Sequence, residues 1–579
     1  MENIRHTLAH LLAAAVEELY PKTKRTIGPT IEDGFYYDFD NLKIGENDLM
    51  HIEKKMRQIL PTWKKMSKEV SFASKDKNKA KTKFKNNEYK KELIDEFAKE
   101  GQTLTFYKAG NFSDLCRGGH VNNPAGEINP KSFKLTKLAG AYWRGNEKNK
   151  MLTRIYGVAF ETKKELEKYI WQQEETKKRD HRVLGTKLKL FTFADEVGPG
   201  LPLWLPNGTI LIDELEKYAK EIETDWGYKR VTTPHIAKEI LYKMSGHIPY
   251  YADDMYPAMK LDDGNYYLKA MNCPHTHMIY KSEPRSYKNL PLRLAEYGTV
   301  YRYELSGVLA GLLRVRGFTQ NDAHIYCRED QAEEEFLTVM KLHEFWYKKI
   351  FNIKDFYMRL SLPSKDNSKY ADMPQGWKNS TKILRSAMKK SGLPYVEVEG
   401  EAAFYGPKVD FQIKSVVGRE ESASTNQLDF LATERFDLYY TDKNGKKKPV
   451  YVIHRSPLGS HERFVAFLIE HYAGAFPVWL SPIQVLVIPV SDKFNAYGRG
   501  VLKKLTDLKI RAELQDESES LGKKIRNGEM QKIPYLLIVG EKEQKTNKVS
   551  VRDRKKGDIG AVKLNYFIEK VLKEIETKK

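Results

Sequence analysis

His6 and His10, in "HTLAHLLAA", stand four residues apart at the start of an apolar helical pattern, so they stack on one helix face. Two imidazoles so placed can hold a metal or move a proton. They can equally be half-buried core histidines, because the glutamate of a metalloprotease helix is missing. A second group is dispersed: Cys273 in "MNCPHTHM", His324 in "QNDAHIYC" and His454 in "VIHRSPLGSHERF". A Cys/His/His set suits a zinc ion that keeps one coordination position open. No two of the three have zinc-finger spacing, so buried structural residues are the competing reading. Arg302 and Glu304, in "YRYE", are two apart and would point the same way on a strand. Such a pair could hold a phosphate and an exocyclic amine. Arg463, in "GSHERF", has a helix-start context, and its guanidinium fork matches phosphate oxygens. Taken singly, each of these charges is equally a surface ion pair.

The elements that must position these groups belong to more than one core, since 579 residues suggest roughly three to five domains. Residues 1–180 read as an apolar helix, an aromatic strand "GFYYDFD" at 34–40, a lysine-rich helical stretch at 54–92 and a polar loop "DLCRGGHV" at 114–121. "KRDHRVLG" at 178–185 reads as a linker. Residues 181–478 begin with a long amphipathic helix, a turn at Gly227 and a strand. "YRYELSG" and "RGFTQNDAHIYC" read as an antiparallel hairpin, and "GPKVDFQI" and "NQLDFLA" as two further strands. From 479 to 579 strands and helices alternate, the pattern of an α/β domain with a largely parallel sheet. The expected class is therefore multidomain, α+β followed by α/β.

Composition narrows the partners. The formal net charge is +20, which favours a polyanion, nucleic acid ahead of anionic membrane. No stretch reaches the 18 or so apolar residues of a membrane span, and "MENIRHTLAH" is not a secretory signal. Three cysteines exclude a disulfide framework and point to the cytoplasm.

The motifs, in their order, resemble one family. "GYKRVTTP" ending at Pro234, "YRYE" and "GSHERF" look like the three motifs of class II aminoacyl-tRNA synthetases. "MNCPHTHM", "RVRGFTQNDAHIYC", "EAAFYGPKVDF" and "IHRSPLGSHERF" are similar to the threonyl branch of that class. The resemblance runs from His6 to the C-terminus. It implies an N-terminal α+β editing domain at 1–180, a catalytic domain with an antiparallel sheet at 181–478 and an anticodon-binding α/β domain at 479–579. It implies ATP-dependent activation of L-threonine, transfer to tRNA(Thr), and hydrolysis of mischarged seryl-tRNA(Thr). By that resemblance Cys273, His324 and His454 ligate one zinc ion, which takes the amino group and hydroxyl of threonine. Asp322 and Tyr405 flank the amino acid. Arg302 and Arg463 hold the α- and γ-phosphates of a bent ATP accompanied by Mg²⁺, Glu304 takes the adenine amine and Phe318 stacks on the ring. Arg314, Gln320, Thr425 and Ser460 complete the substrate contacts.

A pocket that selects a hydroxyl cannot easily exclude serine, one methyl smaller and worth only about 1–3 kcal/mol. A second, hydrolytic site is therefore expected. The family's "HxxxH" and "CRGPH" segments line it, which implies His6, His10, Cys116 and His120 here, with Lys90, Asp114 and Tyr37 helping to orient water. The four His and Cys groups could also ligate a metal, as in the related editing domain of alanyl enzymes; a metal-free pocket is the preferred reading. Gly119 replaces the family's usual proline, a change expected to alter loop stiffness more than chemistry. The pair lies so near residue 1 that no room is expected for the ubiquitin-like domain that opens many bacterial members. Glu543 in "GEKE" and Arg552 in "VSVRDRKKG" match anticodon-reading segments. A homodimer through the motif 1 segment at 211–234 is also implied. One departure stands out: "EESASTNQLDF" has Glu421 and Ser422 where the family often has "WQ", so the glutamine that commonly touches ATP is missing.

Overall fold

The computed structural model describes residues 1–364, 370–415, 418 and 420–579. They form two compact units, Met1–Glu174 and Glu175–Lys579.

In the N-terminal unit the helix Glu2–Leu19 buries every residue from Thr7 to Val16. Its alanine-rich face lets Phe35, Tyr37 and Phe39 of the strand Gly34–Asp40 join the same core. That strand and Met151–Ala159 form the centre of a five-stranded antiparallel sheet, flanked by Lys24–Arg25 and Phe133–Tyr142. Met66–Phe72, Leu104–Ala109 and Phe112–Leu115 make a second, three-stranded antiparallel sheet. The lysine-rich stretch 54–92 is thus not one helix. Helix Asp48–Ile59 ends, strand Met66–Phe72 follows, and helix Glu88–Lys99 comes after a short helix at Lys77–Thr82. In "MSKEVSF" Met66 is buried and Val70 and Phe72 pack on a core, while the outward lysine and glutamate obscure the alternation.

The second unit is built on an eight-stranded sheet. Its order is Lys229–Arg230, Leu292–Tyr301, Gly317–Cys327, Tyr451–Ser456, Glu420–Asp429, Lys408–Lys414, Phe356–Leu362, Tyr395–Glu399. Only the two outermost pairings are parallel. One face is apolar: Ala323, Ile325, Cys327, Ile453, Leu428, Val409 and Phe411 sink into the largest core. The helices Glu329–Glu344 and His461–Tyr472 bury Phe336, Val339, Phe464 and Leu468 in that same core. The other face is left for polar work. Helix Pro206–Asp225 leads through Gly227, at φ +80, into the first strand.

Three expectations are corrected here. "KRDHRVLG" is no linker: helix Lys163–Arg179 is followed at once by helix His181–Lys187, whose cap is Asp180 accepting from Arg182 N. His181 Nδ1 is fixed 2.8 Å from Glu470. "YRYE" is not strand beyond Tyr301, so Arg302 and Glu304 owe their placement to a loop and not to strand parity. The C-terminal sheet (Ala512–Leu514, Val485–Pro489, Tyr535–Val539, Lys548–Asp553, Gly557–Lys563) is mixed, with two parallel and two antiparallel pairings. The last two strands are joined by a short turn at Gly557, φ +76, too short for a parallel crossover.

Candidate functional site

The polar face of the large sheet carries most of the expected site. On strand Gly317–Cys327 the residues Phe318, Gln320, Asp322 and His324 share one face. At the ordinary rise per residue they form a row about 20 Å long. At one end His324 lies directly opposite His454 on the neighbouring strand, ring centroids 4.8 Å apart. Cys273, first residue of the helix Cys273–Lys281, completes the group, with all three potential ligand atoms within 4.8 Å of one another. The donors fit zinc, and His324 Nε2 is buried with no hydrogen-bond partner in the protein, as a nitrogen reserved for a cation would be. Burial pushes the Cys273 thiol up and the His324 imidazole down, so the imidazole is held in the neutral form that can ligate, while the thiol needs a cation beside it to ionise.

Asp429 is a member of this site that the motifs alone did not single out. Its Oδ2 lies 3.0 Å from His454 Nε2, and its Oδ1 accepts from the Leu431 and Ala432 amides at 2.8 and 2.9 Å. With Nε2 committed to a carboxylate, Nδ1 of His454 is the nitrogen left for a cation. Asp322 is buried and accepts from Asn272 Nδ2 at 3.1 Å; burial raises its carboxyl. Tyr405 hydrogen-bonds Gln427 through its hydroxyl, and its ring centroid lies 5.5 Å from that of His454.

At the other end of the row is a cavity of about 890 Å³. Arg302, Arg314 and Arg463 enter it from three segments, together with Glu304, Phe318, Gln320, Thr425 and Ser460. The Arg302 guanidinium sits 5.1 Å from the Phe318 ring centre. Glu304 accepts from Arg314 Nε at 2.8 Å. Ser460 caps helix His461–Tyr472 by accepting from Arg463 N at 3.2 Å, which sets the direction of the Arg463 side chain. Burial lowers the Arg463 pKa, Glu421 opposes that, and the positive charges of Arg302 and Arg314 add to it, so the cavity favours an anionic guest.

A second missed residue supports the frame. Arg455, fully buried beside His454, pairs with Glu223 Oε1 at 2.9 Å and ties helix Pro206–Asp225 to the sheet. Glu223 continues the buried row Leu211, Leu215, Ala219, so an acid in an apolar helical register was the available signal.

The N-terminal unit brings together every residue expected there. His6, His10, Cys116 and His120 offer ligand atoms within 4.8 Å of one another. Cys116 Sγ is 3.1 Å from His120 Nε2 and 3.5 Å from His6 Nε2. Burial pushes the Cys116 thiol up to about 11 and His120 down to about 3, and it lowers His6 and His10 as well. The cluster is therefore uncharged at neutral pH. Beside it Asp114 accepts from Tyr37 Oη at 2.6 Å and Lys90 Nζ at 2.9 Å, with Arg25 Nε at 3.4 Å. Burial alone would raise the Asp114 carboxyl, but the Lys90 and Arg25 charges hold it well below the carboxylate range. His6, His10 and Cys116 of the first group and Tyr37, Lys90 and Asp114 of the second line one cavity of about 620 Å³. Arg25 was not foreseen; nothing in "KTKRT" distinguishes it from its basic neighbours. Gly118 and Gly119 have φ of +104 and +81. Proline is locked near φ −65°, so Gly119 gives this loop a different path and not merely a softer one.

In the C-terminal domain Glu543 and Arg552 are not among the residues lining the arginine-rich cavity and are partly used within their own domain. Glu543 Oε2 accepts from Gly540 N at 3.0 Å, and Arg552 Nε pairs with Glu529 at 2.8 Å.

Three family models match parts of the chain. Residues 104–156 match the threonyl and alanyl tRNA synthetase second additional domain. Residues 256–472 match the tRNA synthetase class II core domain (G, H, P, S and T), and 484–574 the anticodon binding domain. The chain is 48% identical to the threonine–tRNA ligase of Porphyromonas gingivalis over 99% of its own length and 87% of the relative's. The chain belongs to the threonyl-tRNA synthetase family. It is also 48% identical to the Deinococcus radiodurans threonine–tRNA ligase, over 95% of this chain and 85% of that one. Among solved structures, the RNA binding domain of threonyl-tRNA synthetase from Cryptosporidium parvum Iowa II superposes with a TM-score of 0.65 at 34% identity. That match covers 68% of this chain and 98% of the other. No helix among the described residues is long and apolar enough to cross a membrane.

Proposed function

We propose that the chain is a threonine–tRNA ligase that activates L-threonine with ATP, transfers it to tRNA(Thr), and hydrolyses seryl-tRNA(Thr) in its N-terminal unit. The observation that carries this reading is the row Phe318, Gln320, Asp322, His324, which runs from the arginine-lined cavity to the Cys/His/His trio. A zinc ion on Cys273, His324 and His454 would supply an open coordination position for the amino group and hydroxyl of threonine. A site that must ligate a hydroxyl can reject valine by roughly 10⁴ or more, where an apolar pocket hardly separates the two. The protein's own groups do the rest. Asp322 faces the amino group, and Tyr405 closes the side of the amino-acid site. Phe318 offers its ring to adenine and Glu304 accepts from the adenine amine. Arg302 and Arg463 hold the α- and γ-phosphates, so the threonine carboxylate attacks the α-phosphorus in line, the bond to the bridging α,β-oxygen breaks and pyrophosphate leaves, while charge is neutralised by groups already in place. Mg²⁺ arrives with ATP and shares that neutralisation.

The serine that passes the hydroxyl test is one methyl smaller, a difference of only about 1–3 kcal/mol. The N-terminal cavity supplies the correction without a metal: neutral imidazoles of His6, His10 and His120 orient a water toward the ester, beside the charged Asp114–Lys90 pair. The domains divide as 1–180, 181–478 and 479–579, and Glu543 and Arg552 read the anticodon. The ligase acts in the cytoplasm as a homodimer through the segment around 211–234. ATP–pyrophosphate exchange tests the whole reading. We expect exchange that depends on threonine, one zinc per chain, and loss of both in Cys273→Ser. Exchange with no dependence on threonine overturns the ligase assignment; full zinc content in Cys273→Ser overturns the ligand set.

A further inference from the structure

Strand Glu420–Asp429 changes face part-way along. Thr425 and Gln427 line the arginine-rich cavity, opposite Asp410 and Lys408, while Asn426 turns inward and bonds His343; Ser424 borders the cavity but commits its hydroxyl to His343 on the inward side. Strict alternation would place Ser422 on the inward face as well. Between Phe411 and Gln412 the register shifts: Phe411 faces Ser424, but Gln412 faces Ser422. This bulge brings Ser422 onto the cavity face beside Gln412. There Gln412, only 4% exposed, donates from Nε2 to Ser422 Oγ at 2.6 Å, and Ser422 lines the cavity.

A serine hydroxyl has one proton and two lone pairs. With one lone pair taken by a buried amide, its proton points away from Gln412. Asp410, which lines the same cavity, does not compete for it, because it is held by Arg359 at 3.1 Å and Lys408 at 3.2 Å. Two pairings along the ladder, Thr425 Oγ1 is buried with no hydrogen-bond partner in the protein. Two hydroxyls therefore border a cavity whose three arginines call for an oxygen-rich anion.

We propose that Ser422 donates a hydrogen bond to an oxygen of the bound nucleotide and that Gln412 is the residue that positions it. The inference rests on the reading of this cavity as the ATP site. It also accounts for the absence of a glutamine at position 422: the neighbouring strand supplies the amide, which acts through the serine.

The test is pyrophosphate exchange with ATP and threonine titrated separately. In Ser422→Ala and Gln412→Met the KM for ATP should rise about 2- to 12-fold, the range of one lost hydrogen bond, with the KM for threonine unchanged. Ser422→Thr, which keeps the hydroxyl, should stay near the parent value. With 2′-deoxy-ATP the penalty should vanish if the ribose hydroxyl is the partner and persist if a phosphate oxygen is; either result supports the contact. An unchanged KM for ATP in Ser422→Ala, or an equal rise for threonine, overturns it. Arg302→Ala, run alongside, separates the two levels. If it abolishes exchange while Ser422→Ala is silent, only the serine contact falls; if both variants exchange normally, the cavity is not the nucleotide site.

Discussion

Lys90→Met probes the buried charges of the N-terminal unit. The side chains of Lys90 and Asp114 are 3% and 1% exposed, and Nζ lies 2.8 Å from Oδ1 and 2.9 Å from Oδ2. Burial lowers the Lys90 pKa, and the Asp114 charge opposes that and compensates the ammonium. Removing one member of a buried pair commonly costs about 3–5 kcal/mol, because the other charge stays buried. Here Asp114 would keep Tyr37 Oη at 2.6 Å and Arg25 at 3.4 Å, so the low end, about 3 kcal/mol, is expected. Methionine nearly preserves the length and apolar volume of the lysine stem, which limits any cavity contribution. Hydrogen exchange on the full chain reads the effect locally: peptides from helix Glu88–Lys99 and strand Phe112–Leu115 should lose about two powers of ten in protection. Peptides from the class II core should not change. Adding Asp114→Asn should recover part of the loss, since it removes the orphaned charge. Protection within threefold of the parent in the single variant would show that the pair does not stabilise this unit, and the electrostatic account of the pocket would fail.

Four further outcomes are expected. The depressed His6, His10 and His120 imidazoles stay neutral when folded but take up protons when unfolded; stability of the N-terminal unit should therefore be full above about pH 6.5 and fall as pH drops toward about 3, and a flat thermal-unfolding profile across that window would contradict it. Asp429→Asn presents an amide or carbonyl of the same shape to His454 and should weaken zinc retention against a chelator by about 10- to 100-fold, with unchanged retention arguing against a positioning role. His6→Ala combined with His10→Ala should leave threonine charging intact and slow deacylation of seryl-tRNA(Thr) by at least about 100-fold; unchanged deacylation would make the pair a helix core, and loss in the parent on chelation, with charging controlled for, would favour a metal there. Arg302→Ala and Arg463→Ala should each lower threonine-dependent exchange by about 100- to 1000-fold without unfolding the chain, and near-normal exchange in either removes that arginine from the phosphate site.

Much of the site was legible because its chemistry sits in short motifs. Cys273, His324 and His454 each stand in a distinctive stretch, and the fold needed only to bring three stretches together. His6 and His10 were readable from helical spacing, since four residues is one turn wherever the helix lies. Strand parity could also have found the row Phe318 to His324 in "FTQNDAH", because alternation is a local property. What the sequence could not determine depends on contacts across the chain. Whether Arg302 and Glu304 lie on a strand depends on where pairing with Gly317–Cys327 stops, and it stops at Tyr301. Lysines facing solvent hid the strand Met66–Phe72, whose identity comes from its partner Leu104–Ala109. Arg25 meets Asp114 across 88 intervening positions only because two sheets fold together, and a basic run carries no mark of which member will be buried. The same holds for Gln412 and Ser422: their separate side chains are ordinary, and a one-residue bulge in the pairing of two strands decides that they meet, with Ser422 at the cavity wall. Residue type and local period settled which chemistry was available; register and burial, which are properties of the assembled sheets, decided which groups deliver it.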